Sequence, residues 1–286
     1  MFLLASAYLA YDSGLLDQFL GPVDSGQPPT GDKVKVASFN IQIFGRTKRE
    51  KPQVMNMLVD IVREFDLVLV QEIRNSSETT AQIFLDEINT VDGSEYAFIR
   101  SDRLGRSTSK EAYAYFYNTE TGEYLDGTAF VFDDVGDVFE REPYIASFRA
   151  GQFDFTLIGI HTKPDDAYHE MGNLTGVFEY VMSLGDERDI IAMGDFNADG
   201  SYFDEDSTDN PLRGSEYIWV VGNEVDTMTK TDWTYDRMVM TDYTYNSEYI
   251  ATSSAVYYFD TIYGLNQTFT EAVSIITPST LSSVPV

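Results

Sequence analysis

The sequence predicts an α+β fold in four layers, an α/β/β/α sandwich of two packed mixed β-sheets with helices outside. Three observations predict it. Strand-like and helix-like segments alternate from Lys33 onward. Strand patterns gather in two separate regions, each with helices beside it, so each sheet has one face for its partner and one for helices. The 286-residue chain is also 43% hydrophobic and 14% aromatic, enough for a full core and too much for wholesale disorder.

The elements follow in order. Residues 1–11 (MFLLASAYLAY) are apolar, lack a basic leader and are too short to span a bilayer. They read as a clipped signal sequence or anchor, or equally as an amphipathic lead-in. Residues 21–32 (GPVDSGQPPTGD) read as a linker, so the organisation is an N-terminal segment and linker at 1–32 and one domain at 33–286. VKVASFNI (34–41) is a strand, and PQVMNMLVDIVREF (52–65) opens with Pro and spaces its apolar residues as a helix does. DLVLVQEI (66–73) is a buried strand and AQIFLDEI (81–88) a helix. YAYFY, TAFVFD, REPYIASF and FTLIGIHT are short strands close together, the pattern of antiparallel hairpins. A helix over 170–183 and the strand DIIAMGDF (189–196) come next, then late β segments at 236–240 and 256–259.

Composition narrows the chemistry. There is no cysteine, which excludes disulfides, thiolate nucleophiles and cysteine-ligated metals. The two histidines, His161 and His169, are too few for a histidine-rich metal centre. The net charge is -28, and its acids are scattered, which suits a salt-adapted, halophilic surface better than a disordered acidic arm. Taken alone, that charge argues against a nucleic-acid partner. Basic residues nevertheless cluster at Arg46, Lys48, Arg49 and Lys51, and again at Arg100, Arg103 and Arg106.

Polar residues recur where strands end: Asn40 after VASF, Glu72 after LVLVQ, His161 after LIGI, and Asp195 with Asn197 after IAMG. One such residue reads as a cap or turn former. Four strands ending this way point to a site built on a rigid scaffold. The Glu72 carboxylate is a hard oxygen ligand that suits Mg²⁺ or Mn²⁺. A lone His beside carboxylates serves as general acid or base, and the set is a kit for phosphoester hydrolysis.

Five motifs then stand in order: SFNIQIFG (38–45), VQEIRN (70–75), EREPYIASF (140–148), IHTKPDDAYHE (160–170) and GDFNADGSYF (194–203), followed by TYDRMV (234–239) and FDTIYGL (259–265). Over residues 33–274 the chain resembles the deoxyribonuclease I branch of the endonuclease/exonuclease/phosphatase superfamily. The resemblance implies a Mg²⁺-dependent (or Mn²⁺-dependent) endonuclease that hydrolyses double-stranded DNA. It implies a monomer without a stable protein partner, extracellular or anchored outside the cell. Position by position, Glu72 binds the metal with Asn40 nearby. His161 transfers protons and is oriented by Glu111, while Asp195 and Asn197 polarise the phosphate and position water. Arg74 reaches into the minor groove, Arg141 and Tyr202 contact phosphates, and Asp236 orients a second histidine. VDTMTKTD (225–232) resembles a calcium loop with Asp226 as a Ca²⁺ ligand, or is an ordinary Thr-rich turn.

The C-terminal tail at 275–286 departs from the family. Where the family carries Ser-Asp-His-Tyr-Pro-Val, this chain reads Ser274, Ile275, Ile276, Thr277, Pro278, Ser279. Codons for Asp-His-Tyr-Pro-Val-Asp, read after loss of their first base, give Ile-Ile-Thr-Pro-Ser-Thr, the residues at 275–280. The expectation is therefore a nuclease impaired as written. Two alternatives are a non-catalytic nucleic-acid- or protein-binding pseudoenzyme of the same fold and a phosphatase of small phosphoesters.

Overall fold

The two sheets grow from the buried strands that the sequence marks. In the computed structural model, which describes residues 33–283, Val34–Phe44 (β1) and Leu67–Ile73 (β2) run parallel. Their crossover holds the helices Arg46–Arg49 (α1) and Pro52–Val62 (α2). Thr80–Ile88 (α3) leads to the antiparallel pair Tyr96–Arg100 (β3) and Ala112–Asn118 (β4). Glu123–Tyr124 (β5) and Phe130–Val131 (β6) open the second sheet, where Tyr144–Ala150 (β7) and Phe153–His161 (β8) form a hairpin. After Ala167–Ser183 (α4), Ile190–Asp195 (β9) lies parallel to β8. Tyr217–Trp219 (β10) and Asp236–Thr241 (β11) follow, with β11 antiparallel to β9. The chain closes with Asp242–Ser247 (α5), Ala255–Val256 (β12), Phe259–Ile262 (α6), Gln267–Val273 (α7) and Ser279–Ser283 (β13). One sheet has the order β12-β13-β1-β2-β4-β3. The other runs β10-β11-β9-β8-β7-β5, with β6 on β7.

Period-two alternation sorts these strands into three apolar layers. Phe39, Val68, Val70, Ala114 and Phe116 face outward from the first sheet and pack against Leu58, Ile61 and Phe84 of α2 and α3. Val36, Leu69 and Tyr115 face the other way and meet Ala146, Leu157, Met193 and Met238 between the sheets. Ile158, Ile190, Ala192 and Val239 turn outward from the second sheet onto Met171, Leu174 and Phe178 of α4. Helix, sheet, sheet and helix are thus the four layers the sequence predicts.

Three local expectations change. TAFVFD contributes only the two-residue β6, because Phe132 bonds back to Pro143 O and the loop that follows turns on Asp134. The strand expected at 256–259 stops at Val256, since Phe259 opens α6 and buries its ring beside Phe39. The atypical tail joins the first sheet: Ser38 lies opposite Ser279 and Val36 opposite Leu281. The segment and linker at 1–32 lie outside the described residues.

Candidate active site at the strand ends

Register brings the marked residues together. β1 with β2, and β8 with β9, are parallel pairs, so their C-terminal ends coincide: Asn40 lies opposite Gln71 and His161 opposite Asp195. The antiparallel neighbours present their N-terminal ends there, which sets Asp236 of β11 opposite Asp195. Glu111 precedes β4 at the same end. The inner faces of both sheets therefore carry Asn40, Glu111, His161, Asp195 and Asp236 into one region, all buried.

Two hydrogen-bonded sets meet there. His161 Nδ1 lies 2.7 Å from Glu111 Oε1, and His161 Nε2 lies 3.7 Å from Asp195 Oδ2. Asn40 Nδ2 donates to Asp195 Oδ2 at 3.0 Å and to Glu72 Oε1 at 3.2 Å. Asn197 donates its backbone N–H to Asp195 Oδ1 (3.1 Å) and its amide to Thr162 O (3.0 Å). A cleft of about 260 Å³ is lined by Asn40, Glu72, His161, Asp195 and Asn197 on its polar side. Met228, Tyr235, Ile275 and Ile276 line it too.

The backbone bends to make this geometry. Glu72 (φ 61°) and Asn197 (φ 47°) sit in the left-handed region, as do Gln42 and Ile43, and such conformations persist only where surroundings enforce them. Ile43 N–H holds Glu72 Oε2 at 2.8 Å, and Gln42 N–H holds Asn40 Oδ1 at 2.9 Å. Gly194 has φ 148°, and a Cβ there would lie 1.8 Å from Ile160 O, so only glycine fits.

Charge is distributed unevenly. Burial alone would raise Glu111, but His161, Arg141 and Arg74 hold its carboxyl below the ordinary range. Burial alone would lower His161, yet the Glu111 carboxylate raises the imidazole above its usual value. Burial, reinforced by Asp195, pushes Asp236 well up, and neither of its carboxyl oxygens finds a hydrogen-bond partner. Nearby Ser38, Thr277 and Ser279, on or facing the tail, have unpaired hydroxyl oxygens as well. Ile276 lies in the same corner, bridged to Met228.

The expected DNA contacts differ in availability. Arg74 bridges Glu72 (2.9 Å) and Glu111 (3.5 Å) and lines the cleft. Arg141 is 7% exposed and gives Nε and Nη2 to the carbonyls of His161 and Thr162, both at 3.0 Å. Tyr202 lines the cleft, its ring 5.7 Å from that of Tyr235. The basic clusters are largely engaged: Arg46 pairs with Glu50, Arg100 with Glu78, and Arg106 with Asp137. Asp226 Oδ1 accepts the Met228 N–H at 2.7 Å, the bond of an ordinary Asx turn.

Three residues take supporting roles that the sequence reading did not assign. Gln71 bolts the sheets together, donating to Ile160 O (2.6 Å) and accepting from Asp195 N–H (3.1 Å). Its signal was present, a polar residue on the inner period of Leu67 and Leu69. Lys48 donates to Ile41 O (2.6 Å) and Val273 O (2.8 Å), and burial lowers its ammonium to about 8. Ser274 Oγ donates to Asn40 O at 2.7 Å. Neither role had a local signal, because Lys48 reaches Val273 and Ser274 reaches Asn40 across more than two hundred residues of chain.

The donor set fits a small hard cation. Two carboxylates, Glu72 and Asp195, converge on the Asn40 amide group, which donates to both, and a cation at Glu72 would take the place of its pairing with Arg74. Among the described residues no three His, Asp or Glu side chains form a closed metal cage. Mg²⁺ is commonly held by one or two carboxylates together with water and substrate phosphate, so an open site suits it.

Comparison with known proteins shows the family and the fold. The profile of the Endonuclease/Exonuclease/phosphatase family matches residues 37–256. Deoxyribonuclease-1 of Bos taurus is 32% identical over 255 residues, covering 85% of this chain and 90% of that protein. Deoxyribonuclease gamma of Homo sapiens is 31% identical over 252 residues, covering 82% and 80%. Among solved structures, an endonuclease/exonuclease/phosphatase family protein from Leptotrichia buccalis superposes with a TM-score of 0.60 at 14% identity, over 87% of this chain and 99% of that one. The catalytic domain of human Nocturnin gives 0.58 at 12% identity, over 88% and 94%.

Proposed function

The chain belongs to the endonuclease/exonuclease/phosphatase family, and from that premise we propose that it is a deoxyribonuclease I-like endonuclease, a divalent-metal-dependent hydrolase of DNA phosphodiester bonds. The observation that supports this best is the convergence of two hydrogen-bonded sets, Glu111–His161 and Asp195–Asn40–Glu72, with His161 Nε2 3.7 Å from Asp195 Oδ2. Glu72, with Asn40 beside it, would hold Mg²⁺ or Mn²⁺, which when bound neutralises charge on the scissile phosphate. Glu111 fixes the His161 ring through Nδ1 and leaves Nε2 to move a proton. Asn197 and Asp195 orient water and phosphate. Arg74 and Tyr202, at the cleft, contact DNA, while Arg141 lines the same cleft and anchors the end of β8.

The same reading carries three finer expectations: export from the cell, a surface adapted to salt, and Ca²⁺ near Asp226. Among the described residues no helix is long and apolar enough to cross a membrane. The chain as written is impaired, because Asp236 lies buried beneath the tail with no imidazole to orient. Plasmid nicking with Mg²⁺, and with the ion chelated, tests the activity. Metal-dependent nicking is expected, slow by several orders of magnitude. Metal-independent nicking, or none even after Ile275–Thr280 is replaced by Asp-His-Tyr-Pro-Val-Asp, would refute it.

A further inference from the structure

Hydrolysis of a phosphodiester makes two proton demands, one at the attacking water and one at the departing oxygen. In an in-line displacement those oxygens lie on opposite sides of phosphorus, so a single imidazole serves one end only. His161 is the only residue lining the cleft whose ordinary pKa lies near neutrality. Its Nδ1 is tied to Glu111, which leaves Nε2 alone for exchange. The rest of the lining includes a wall of Met228, Tyr235, Ile275 and Ile276. Three of these have no ionisable group, and burial pushes the Tyr235 phenol above its usual range, further from giving up a proton. Asp236 is fully buried and does not line the cleft. The lining thus holds one imidazole and, beside its charged and amide groups, an apolar, partly aromatic surface with no second group suited to protonate a leaving oxygen.

We infer that this cleft hydrolyses phosphodiesters bearing an aryl-oxide leaving group in preference to those that must expel an alkoxide, the DNA backbone included. His161 serves the water, and the apolar wall holds the aryl ring. The inference rests on the phosphodiester-hydrolase reading above. In the step, the water oxygen forms a new bond to phosphorus while the phosphorus–oxygen bond to the aryl group breaks. The bonding pair departs with the aryl oxide, which is stable without protonation. The water proton passes to His161 Nε2 and then to solvent, and water is the only co-reactant. A ring packed on Met228 and Ile275 and against the exposed edge of the Tyr202–Tyr235–Trp233 aromatic group adds binding that an alkyl ester lacks.

A leaving-group series on the unaltered chain tests this: methyl 4-nitrophenyl, methyl 4-chlorophenyl and methyl phenyl phosphate, with supercoiled plasmid alongside, each in Mg²⁺ and in Mn²⁺. Acceleration over buffer is expected to stay level or fall as the departing phenol becomes more basic. DNA should trail the nitrophenyl ester by at least roughly 10²-fold per phosphodiester, the share a general acid supplies. His161→Ala and the bulkier His161→Gln should both abolish nitrophenyl ester hydrolysis, and Met228→Ser should raise its KM. Acceleration that climbs with leaving-group basicity, or plasmid cut as readily as the aryl ester, would overturn the inference and leave the hydrolase reading intact. So would nitrophenyl hydrolysis that survives both His161 variants in folded protein. If neither ester nor plasmid is cut by protein with a normal melt, the hydrolase reading falls and the inference with it.

Discussion

At the scale of single residues, the Glu111–His161 pair decides the pH dependence. The carboxylate raises the imidazole above its ordinary value, so an imidazole that must accept a proton is available only above that raised pKa. Activity should therefore rise with pH through a limb above about 6.5. Glu111→Gln removes the charge that raises it and should move the limb to lower pH while slowing the reaction. A pH profile of kcat/KM measures both, and a limb unmoved by Glu111→Gln would remove His161 from proton transfer. Lys48 yields a second test. Its ammonium satisfies two carbonyls, that of nearby Ile41 and that of distant Val273, and removing it strands both at about 1–3 kcal/mol each. Lys48→Met should lower Tm yet leave the salt dependence of DNA binding unchanged, whereas Arg74→Ala should flatten the slope by about 0.9. The sequence placed Lys48 in a basic cluster after the first strand. Contacts made across the chain, which local pattern cannot carry, turned it inward. Asn40, Glu72, His161 and Asp195 were legible because each breaks an apolar run at a strand end, and strand ends in parallel register must meet.

At the scale of elements, the strands were legible wherever both faces were buried, since β1, β2, β8 and β9 read as apolar runs. The two-residue β6 and β12 were not, because pairing to a neighbour, rather than their own composition, defines them. The β13 tail is the instructive case. Its Ser- and Thr-rich sequence bears no buried-strand pattern, yet β1 and β12 supply partners on both edges. The cost of that fit appears in the unpaired oxygens of Ser38, Asp236, Thr277 and Ser279. Replacing Ile275–Thr280 with Asp-His-Tyr-Pro-Val-Asp should give Asp236 a partner and raise Mg²⁺-dependent nicking by roughly 10²–10⁴-fold. Nicking rates and a urea melt on both chains check this, and unchanged nicking in a well-folded repaired chain would favour a pseudoenzyme. β9 carries its own constraint at Gly194. A methyl there collides with the Ile160 carbonyl, so Gly194→Ala should cost more than about 3 kcal/mol in urea melts, beyond the usual point substitution.

At the scale of the whole molecule, charge opposes both folding and the proposed substrate. A net charge of -28 on 286 residues sets carboxylates against one another over the surface. Many cations are already paired locally, as in Arg149 with Glu123 and Asp154, or Lys230 with Glu271, so they do little to offset the distant excess. Salt shortens the Debye length from about 10 Å at 0.1 M to about 3 Å at 1 M, which removes long-range repulsion and leaves contact pairs weakened but close. The buried apolar layers, three in number, are untouched by screening and strengthen in salts that are excluded from protein surface. Tm should therefore climb between 0.1 and 3 M KCl. KCl has only a modest exclusion effect, so most of the gain should come below 1 M, where screening changes fastest. A chain whose acids are merely numerous, with repulsion already relieved by local pairs, would melt at the same temperature throughout. A flat or falling curve would thus reject salt adaptation, while the cleft, built from buried hydrogen bonds that salt screens far less than surface charges, would keep its geometry.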